Sequence, residues 1–158
     1  MANTPTSGSR LLLGTQATDA ATDTYQLVGK IQQLGDFGGT VAEVTALTLE
    51  DSAVQKTIGS SDEGNLNPQF IYDGENVGQQ ALITAAQNQR TSPTPYNIKI
   101  ELNDTPPSGA APTPTTYIYK GLIRGAPLNI GQGDNFVLLN TQISLTQLVS
   151  RTPRATGD

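Results

Sequence analysis

The stretch YNIKIEL, residues 96–102, decides the fold class of this 158-residue chain. Its apolar and polar side chains alternate strictly, and the apolar ones are Tyr96, Ile98, Ile100 and Leu102. A period of two residues places one set on each face of a β-strand, so one face is predicted to be buried and the other to meet water. This pattern is typical of an antiparallel sheet that has one solvated side.

Similar β-prone segments lie on both sides of this strand, separated by turns that are rich in glycine and proline. The predicted strands span residues 11–13, 25–34, 41–49, 66–72, 117–124, 126–130 and 136–149. GDFGG (35–39) and GQGDN (131–135) are predicted turns, because glycine tolerates the backbone angles that turns require. Two longer connections are predicted to be exposed loops, the polar residues 50–65 and the proline-rich residues 103–116.

One long helix is predicted in YDGENVGQQALITAAQNQR, the stretch from Tyr72 to Arg90. Asn76 is predicted as the N-cap, and Gln79 is predicted to return a hydrogen bond to it, as in a capping box. A narrow apolar stripe of mostly small residues follows one side of the helix, formed by Val77, Ala81, Leu82 and Ala85. These small side chains would let the helix close one end of the β-structure at short range.

A single helix set apart from antiparallel strands indicates an α+β, mainly β fold, built as a β-sandwich or a partly open barrel. Residues 11–150 are predicted to form one domain, which the chain is long enough to fill with a core. Residues 1–10 and 151–158 lack periodicity, so they are predicted to be a flexible N-terminal arm and a flexible C-terminal tail.

The composition excludes several kinds of chemistry. The chain has no Cys and no His, which removes disulfides, thiolate chemistry and the usual zinc sites. Its formal net charge is −5, which argues against a protein that grips nucleic acid through a basic patch. The start of the chain has no basic segment followed by an apolar run, and apolar runs are short, so neither a signal peptide nor a membrane span is expected. No cofactor is predicted.

Paired carboxylates are the main candidates for catalysis or metal binding. They are Glu50 with Asp51, Asp62 with Glu63, and Asp73 with Glu75. Such pairs occur in glycoside hydrolases and calcium sites, but these lie in predicted loops and turns without supporting polar motifs. Solvated turn carboxylates are the favoured interpretation, and no enzyme is predicted.

Four tyrosines raise the possibility of a stacking platform for bases or sugars: Tyr72, Tyr96, Tyr117 and Tyr119. Aromatic residues at strand spacing more often form core or cross-strand pairs. The absence of interleaved basic residues also gives nucleic-acid stacking little support.

Several segments, taken in order, resemble one known family. YQLVGKIQQLG (25–35) resembles its early strand, which ends in a glycine turn. A strand and a long loop follow, with a G-x-x-D-x-G segment at Gly59, Asp62 and Gly64. The next strand ends in an aromatic residue and an aspartate, Tyr72 and Asp73.

The helix motif D/E-x-x-G-Q-x-A-L corresponds here to Glu75, Gly78, Gln79, Ala81 and Leu82. Residues 117–146 resemble the closing strands, with a G-F-V-like element at 121–123 and a G-x-x-D turn at Gly131 and Asp134. Residues 11–148 thus resemble the major tail tube proteins of bacteriophages with long, non-contractile tails, the lambda-like tail tube family. The proline-rich residues 103–116 depart from the common pattern of that family.

The resemblance implies a β-sandwich subunit that forms hexameric rings, which stack into a hollow tube. The partners it implies are other copies of the chain, the tape measure protein, the tail tip or baseplate proteins and the tail terminator protein. Double-stranded DNA would pass through without specific binding, and no membrane is involved. The location implied is the phage tail in the virion, after assembly in the cytoplasm of the host bacterium.

Two sets of residues are candidates for roles in such a tube. An acidic lumen would repel phosphates, and the candidates that would face it are Glu43, Glu101 and Asp134. The polar loop would reach a neighbouring subunit or ring, and its charged candidates are Glu50, Asp51, Lys56, Asp62 and Glu63. The helix would lie on the outer side of the tube sheet.

Two alternatives stay open. The same tube fold serves in contractile tails and in secretion-type machines, which this sequence does not separate from non-contractile tails. A carbohydrate- or surface-binding β-sandwich is a different class, and it predicts a monomer or small oligomer with an aromatic groove.

Overall fold

The computed structural model describes residues 3–50 and 52–158. Its strands and its helix follow one another in the order β1 (Arg10–Leu13), β2 (Gln26–Val28), β3 (Ile31–Gln33), β4 (Thr40–Ala46), β5 (Gln55–Asp62), β6 (Asn65–Leu66), β7 (Gln69–Ile71), α1 (Val77–Asn88), β8 (Tyr96–Glu101), β9 (Thr116–Gly125), β10 (Leu128–Asn129), β11 (Leu138–Asn140) and β12 (Gln142–Thr152). The strand pairs are antiparallel. The predicted mainly β, α+β fold with one flanking helix is confirmed.

The strands form two packed sheets and a separate hairpin. The six-stranded sheet has the order β2-β1-β8-β9-β12-β6, the four-stranded sheet has the order β10-β11-β7-β3, and the hairpin consists of β4 and β5. The chain passes from one packed sheet to the other at residues 29–30, 67–68, 126–127 and 141. These passages join the two sheets at corners, in the manner of a partly open barrel.

The core lies between the two sheets and the helix. The six-stranded sheet contributes the buried side chains of Leu11, Leu13, Val28, Ile98, Ile100, Tyr119, Ile123, Ile143 and Leu145. Phe70 and Leu139 pair across the four-stranded sheet and face the same cluster. Their burial follows from the period of two in each strand, and it is the main stabilising term for this fold.

Four aromatic side chains belong to this core or pack against it and do not form an exposed platform: Phe37, Tyr96, Tyr117 and Tyr119. The ring of Phe37 meets Tyr117 and Tyr119 edge-on, with centroids 5.1 and 6.1 Å apart. Tyr96 and Tyr119 are buried, whereas Tyr72 and Tyr117 are partly buried. Edge-to-face pairs of this kind stabilise a core beyond the area that they bury.

The helix buries Leu82 and Ala85 as the sequence predicts, but the rest of its buried face differs from the prediction. Val77, predicted in the apolar stripe, is 67% exposed, and Gln79, predicted on the polar side, is 0% exposed. The buried residues are Gly78, Gln79, Leu82, Ala85 and Ala86. The prediction was wrong at Gln79 because it treated glutamine as a surface residue, whereas burial is tolerated when an amide is fully hydrogen-bonded.

Asn76 is the N-cap of α1, and its side chain accepts a hydrogen bond from the backbone N–H of Gln79. Gln79 does not return the bond as a capping box would. Its Oε1 accepts from the N–H of Asp73, and its Nε2 donates to the carbonyls of Gly29 and Ile71, each at 2.9 Å. The side chain thus fastens the helix to the two points where β2 ends and β7 ends.

Gly78 sets how closely the helix approaches the six-stranded sheet. A Cβ at this position would lie 2.0 Å from the carbonyl oxygen of Leu27 and 2.8 Å from the Cα of Val28. Both are backbone atoms of β2, which cannot move aside as a flexible side chain would. The absence of a side chain at Gly78 therefore permits the close packing predicted for this helix.

Two predicted long strands are divided in the structure. Residues 25–34 form β2 and β3 in different sheets, separated by Lys30 with φ of 62°. Residues 136–149 likewise contribute to β11 and β12, which separate at the buried Thr141. Apolar and polar residues continue to alternate through both breaks, because a segment that passes to the other sheet still points every second side chain into the core.

The terminal segments are bonded to the body, whereas the sequence predicted flexible ends. Within the described residues of the N-terminal arm, the carbonyl of Ser7 accepts from the side chain of Asn103 at 2.7 Å. At the C-terminus, β12 extends to Thr152, and the backbones of Thr113 and Ala155 exchange hydrogen bonds. The tail therefore pairs with the proline-rich segment 103–116, a long-range contact that neither segment reveals alone.

Candidate assembly surface

The hairpin β4–β5 is the most unusual surface of the molecule. Its strands pair with each other and with no other strand in the described part of the chain. The segment TVAEVTA of β4 contains β-branched residues that favour a strand, and the register places Glu43 opposite Ile58 and Val44 opposite Thr57. The prediction of a loop over residues 50–65 is therefore wrong for Gln55–Asp62, which form β5.

The hairpin exposes large apolar side chains that have no cover within the described residues. They are Val41, Val44, Leu47, Leu49, Val54 and Ile58. Leu49, near the tip, is 108% exposed, and Ile58 is 77% exposed. A soluble monomer seldom presents so many such residues on one element, so the hairpin has the character of an interaction surface.

The hairpin and its base also contain the net charge of the chain. Residues 36–63 include six carboxylates and one lysine, a formal charge of −5 that equals the charge of the whole sequence. The remaining residues contain eight acidic and eight basic side chains. The acidic and basic charges of the body therefore cancel. A negatively charged partner would be repelled by the hairpin far more than by the body.

The five charged residues predicted to contact a neighbouring subunit belong to this hairpin region. Lys56 and Asp62 lie on β5, Glu50 lies between the strands, Glu63 follows β5, and Asp51 lies outside the described residues. The Nζ of Lys56 is 3.6 Å from Oε1 of Glu43, but both side chains are more than half exposed. Such a pair contributes little to stability, typically less than about 1 kcal/mol.

The structure does not bring the three predicted lumenal carboxylates together. Glu43 is on the hairpin, Glu101 ends β8 in the six-stranded sheet, and Asp134 lies between β10 and β11 beside the four-stranded sheet. Glu43 and Asp134 are exposed. Glu101 is partly buried and forms an ion pair with Arg10, and the Nζ of Lys99 lies 4.0 Å from its other oxygen. The charge of Glu101 is therefore largely offset by its neighbours.

Carboxylates with shifted pKa values are structural. Burial acts to raise the pKa of Asp104, but hydrogen bonds from the backbone and side chain of Thr115, together with the charge of Arg154, hold it below its usual value. Burial likewise acts to raise the pKa of Asp23, while bonds from Asn97, Thr15 and Thr24 lower it. Both groups fasten loops to the sheet.

Neither a metal-binding cluster nor a membrane-spanning helix is found among the described residues. No group of three or more acidic residues in residues 3–50 and 52–158 is close enough together to hold a metal ion. No helix among the described residues has the length and apolar character that a membrane crossing requires.

Sequence reasoning missed a second surface, at the corner where the two packed sheets meet. An open cavity of about 490 Å³ is lined there by Gln33, Asn67, Gln69, Arg124, Asn140, Thr141 and Gln142. Its members come from four distant segments, so no spacing within one segment could have indicated it. The one indication of this cavity in the sequence is that Gln and Asn recur within the predicted strands.

Comparison with known proteins identifies the fold. No family model matches the chain, and no curated protein matches it in sequence. The solved structure of the SPP1 tail tube, a hybrid of solid-state NMR and cryo-electron microscopy, superposes with a TM-score of 0.61 at 15% identity, covering 98% of this chain and 80% of that one. A chain in the 6-fold symmetrised structure of the anti-feeding prophage baseplate superposes with a TM-score of 0.63 at 10% identity, covering 96% of this chain and 98% of that one. The chain therefore has the fold of tail tube proteins.

Proposed function

We propose that this chain is a structural subunit of a phage tail tube. The observation that carries the proposal is the hairpin β4–β5, which presents exposed apolar side chains and two strand edges that are open within the described part of the chain. Open apolar edges are a liability in a monomer, and repeated copies in a closed ring remove it. The fold shared with the SPP1 tail tube supports the same role.

The subunits would form hexameric rings that stack into a hollow conduit for double-stranded DNA. Six-fold symmetry is supported by analogy with the anti-feeding prophage baseplate, whose structure is described as 6-fold symmetrised. The tape measure protein, the tail tip or baseplate and the tail terminator would bind the tube, which would be assembled in the host cytoplasm and retained in the virion. The role is mechanical, and it requires no catalysis.

Repulsion of phosphates by the lumen would keep DNA from adhering to the tube. Glu43 and Asp134 remain the candidates for this role, because both are exposed, whereas Glu101 is offset by Arg10 and Lys99. Replacing Glu43 and Asp134 together by lysine should slow DNA ejection from the particles that still assemble, and because Glu43 lies on β4 of the hairpin, the replacement should also raise the concentration needed for assembly. Unchanged ejection kinetics from particles that contain the variant would refute the role of these two carboxylates.

A second candidate is the tube of a contractile tail or of a secretion-type machine. The similarity to a chain of the anti-feeding prophage baseplate favours keeping this alternative beside the first. A gene for a contractile sheath next to the gene for this chain would decide in its favour, because a sheath has no place in a non-contractile tail.

Negative-stain electron microscopy of the purified chain at rising concentration tests the proposal. Hollow tubes or stacked rings are expected for the natural sequence. Ile58→Lys, which places a charge among the exposed apolar residues of β5, should raise the concentration needed for assembly at least about tenfold. Thr84→Lys adds the same charge at an exposed position of α1 and should assemble as the natural chain does.

Particles that stay monomeric at every concentration, also when purified tail tips are added as initiators, would contradict the proposal. Sugar binding by such a monomer in a glycan screen would then favour the carbohydrate-binding alternative.

A further inference from the structure

The corner of the two packed sheets has two adjoining depressions that share Arg124. The first is the amide-lined cavity of about 490 Å³, in which Nε2 of Gln69 donates to Oδ1 of Asn140 at 3.0 Å. The second is a cleft of about 290 Å³ that is lined by Arg90 and Arg124 and by the apolar groups of Ile83, Ala86, Ala126 and Pro127. We call the two together the corner surface.

The corner surface offers three kinds of contact at once. Arg124 is exposed and makes no ion pair or hydrogen bond with a described residue, and Arg90 lines the same cleft. The amides of Gln33, Gln69 and Asn140 both donate and accept hydrogen bonds, which matches the alternating N–H and C=O groups of an extended peptide. The apolar floor of the cleft suits one aliphatic side chain.

A buried hydroxyl adds an independent indication of an incomplete site. Thr141 lines the amide cavity, is 1% exposed, and its Oγ1 has no hydrogen-bond partner among the described residues. Buried hydroxyls are nearly always hydrogen-bonded, because leaving one without a partner is costly. A polar segment bound in the cavity would supply the missing partner.

From these contacts we infer that the corner surface binds the tip of the β4–β5 hairpin of a second copy of this chain. The tip sequence LTLE, residues 47–50, has the complementary chemistry: exposed leucines, one of which would enter the apolar cleft, and a carboxylate for the arginines. Glu50 makes no ion pair with a described residue, and the hairpin segment contains the whole net negative charge of the chain. The inference rests on the proposed self-assembly, and it names the two surfaces that meet.

Charge and apolar complementarity select this occupant over other segments of the chain. The C-terminal tail contains two arginines, Arg151 and Arg154, so its charge does not suit a cleft with two more. The loop between β10 and β11 exposes Ile130 and Phe136, but its carboxylate, Asp134, has no aliphatic residue next to it in the sequence. The hairpin tip alone among these combines adjacent aliphatic and acidic side chains.

A peptide titration tests the inference without requiring tubes. A peptide of residues 46–54 is added to the full-length chain, held at a concentration where sedimentation shows a monomer, and NMR follows the side-chain signals of Gln69, Asn140 and Arg124. Binding at millimolar or lower peptide concentration is expected, with the shifts confined to the corner surface. Arg124→Gln, or a peptide with Glu50→Gln, should weaken binding about fivefold.

Matched variants separate the site from general charge effects. Arg154→Gln removes the same charge from the C-terminal tail and should leave the peptide affinity unchanged. Thr141→Val should weaken binding, whereas Thr141→Ser, which keeps the hydroxyl, should not. A chain with Arg124→Glu should recover affinity for a peptide with Glu50→Arg.

Three outcomes would overturn the inference: no peptide binding, shifts away from the corner surface, or an affinity that Arg124→Gln does not change. A glycan that shifts the corner signals when the peptide does not would overturn it as well. Tube formation by the natural chain distinguishes the two proposals. Tubes without peptide binding would reject this interface and retain the tube proposal. Peptide binding without tubes would retain the interface and reject the tube proposal.

Discussion

The hairpin β4–β5 and the body formed by the two packed sheets use the same backbone hydrogen bonding but differ in what covers their side chains. In the body, every second residue of β8 faces a shared core, and Ile98 and Ile100 are buried. In the hairpin, all seven residues of β4 are exposed. The body is therefore stabilised by apolar burial within one chain. The hairpin buries no comparable apolar surface within that chain.

This difference suggests a division of work between the two regions. A two-stranded hairpin without a covered face is marginally stable at best in water. Its exposed apolar and acidic side chains become useful when another copy covers them. Substitutions in the body should therefore change the stability of the monomer, and substitutions in the hairpin should change assembly.

Gly78→Val should have the largest effect on the monomer. The added side chain would overlap the backbone of Leu27 and Val28, so α1 could not dock against β2. Unfolding in urea should show a loss of about 4 kcal/mol, above the usual cost of overpacking because the obstacle is backbone. Gly133→Ala is the control, since a Cβ there meets nothing within 4 Å, and a similar loss in both variants would reject the packing argument.

Gln79→Leu should have the next largest effect. The substitution places an apolar side chain of similar size in the buried position but leaves the N–H of Asp73 and the carbonyls of Gly29 and Ile71 without their partner. Unpaired groups of this kind should lower the free energy of unfolding by about 2 kcal/mol. A neutral or stabilising result in the same urea experiment would mean that the amide is not the fastening that its geometry indicates.

The sequence allowed the body to be predicted better than its corners. The strand at residues 96–102, the helix and the N-cap at Asn76 follow from local periodicity and capping, and the structure has them within a residue or two. The breaks at Lys30 and Thr141 depend on which sheet receives each half of a segment, and local pattern contains no such information. Burial of Gln79 depends on partners that are up to 50 residues away.

The candidate site shows the same limit. Sequence placed the charged residues 50–63 in one polar segment, but glycine and serine within QKTIGSSD concealed a strand whose exposure makes it a candidate interface. The corner surface assembles Gln33, Gln69, Arg124 and Asn140 from separate strands. Neither surface could be found without knowing which strands are adjacent.

Asp104→Asn should have a smaller, pH-dependent effect on the body. The pKa of Asp104 is lowered in the folded state, so its stabilising contribution is present above the unfolded pKa and is lost as the pH falls through the folded one. At pH 7, amide exchange at Thr115 should be about fivefold faster in the variant, because the N–H then bonds to a neutral acceptor. As the pH falls below the lowered pKa of Asp104, the two proteins should converge. A difference that persists in acid would show that charge is not the cause.

Ile58→Ser should have the smallest effect on the monomer, and it tests the comparison most directly. Ile58 lies on β5 opposite Glu43 and is 77% exposed, so little apolar burial is lost within one chain. Urea unfolding below the assembly concentration should change by less than about 0.5 kcal/mol. The same substitution should weaken assembly, which sedimentation at rising concentration measures. A loss of more than about 2 kcal/mol in the monomer would mean that the hairpin folds as part of the body, and the division between the two regions would then fail.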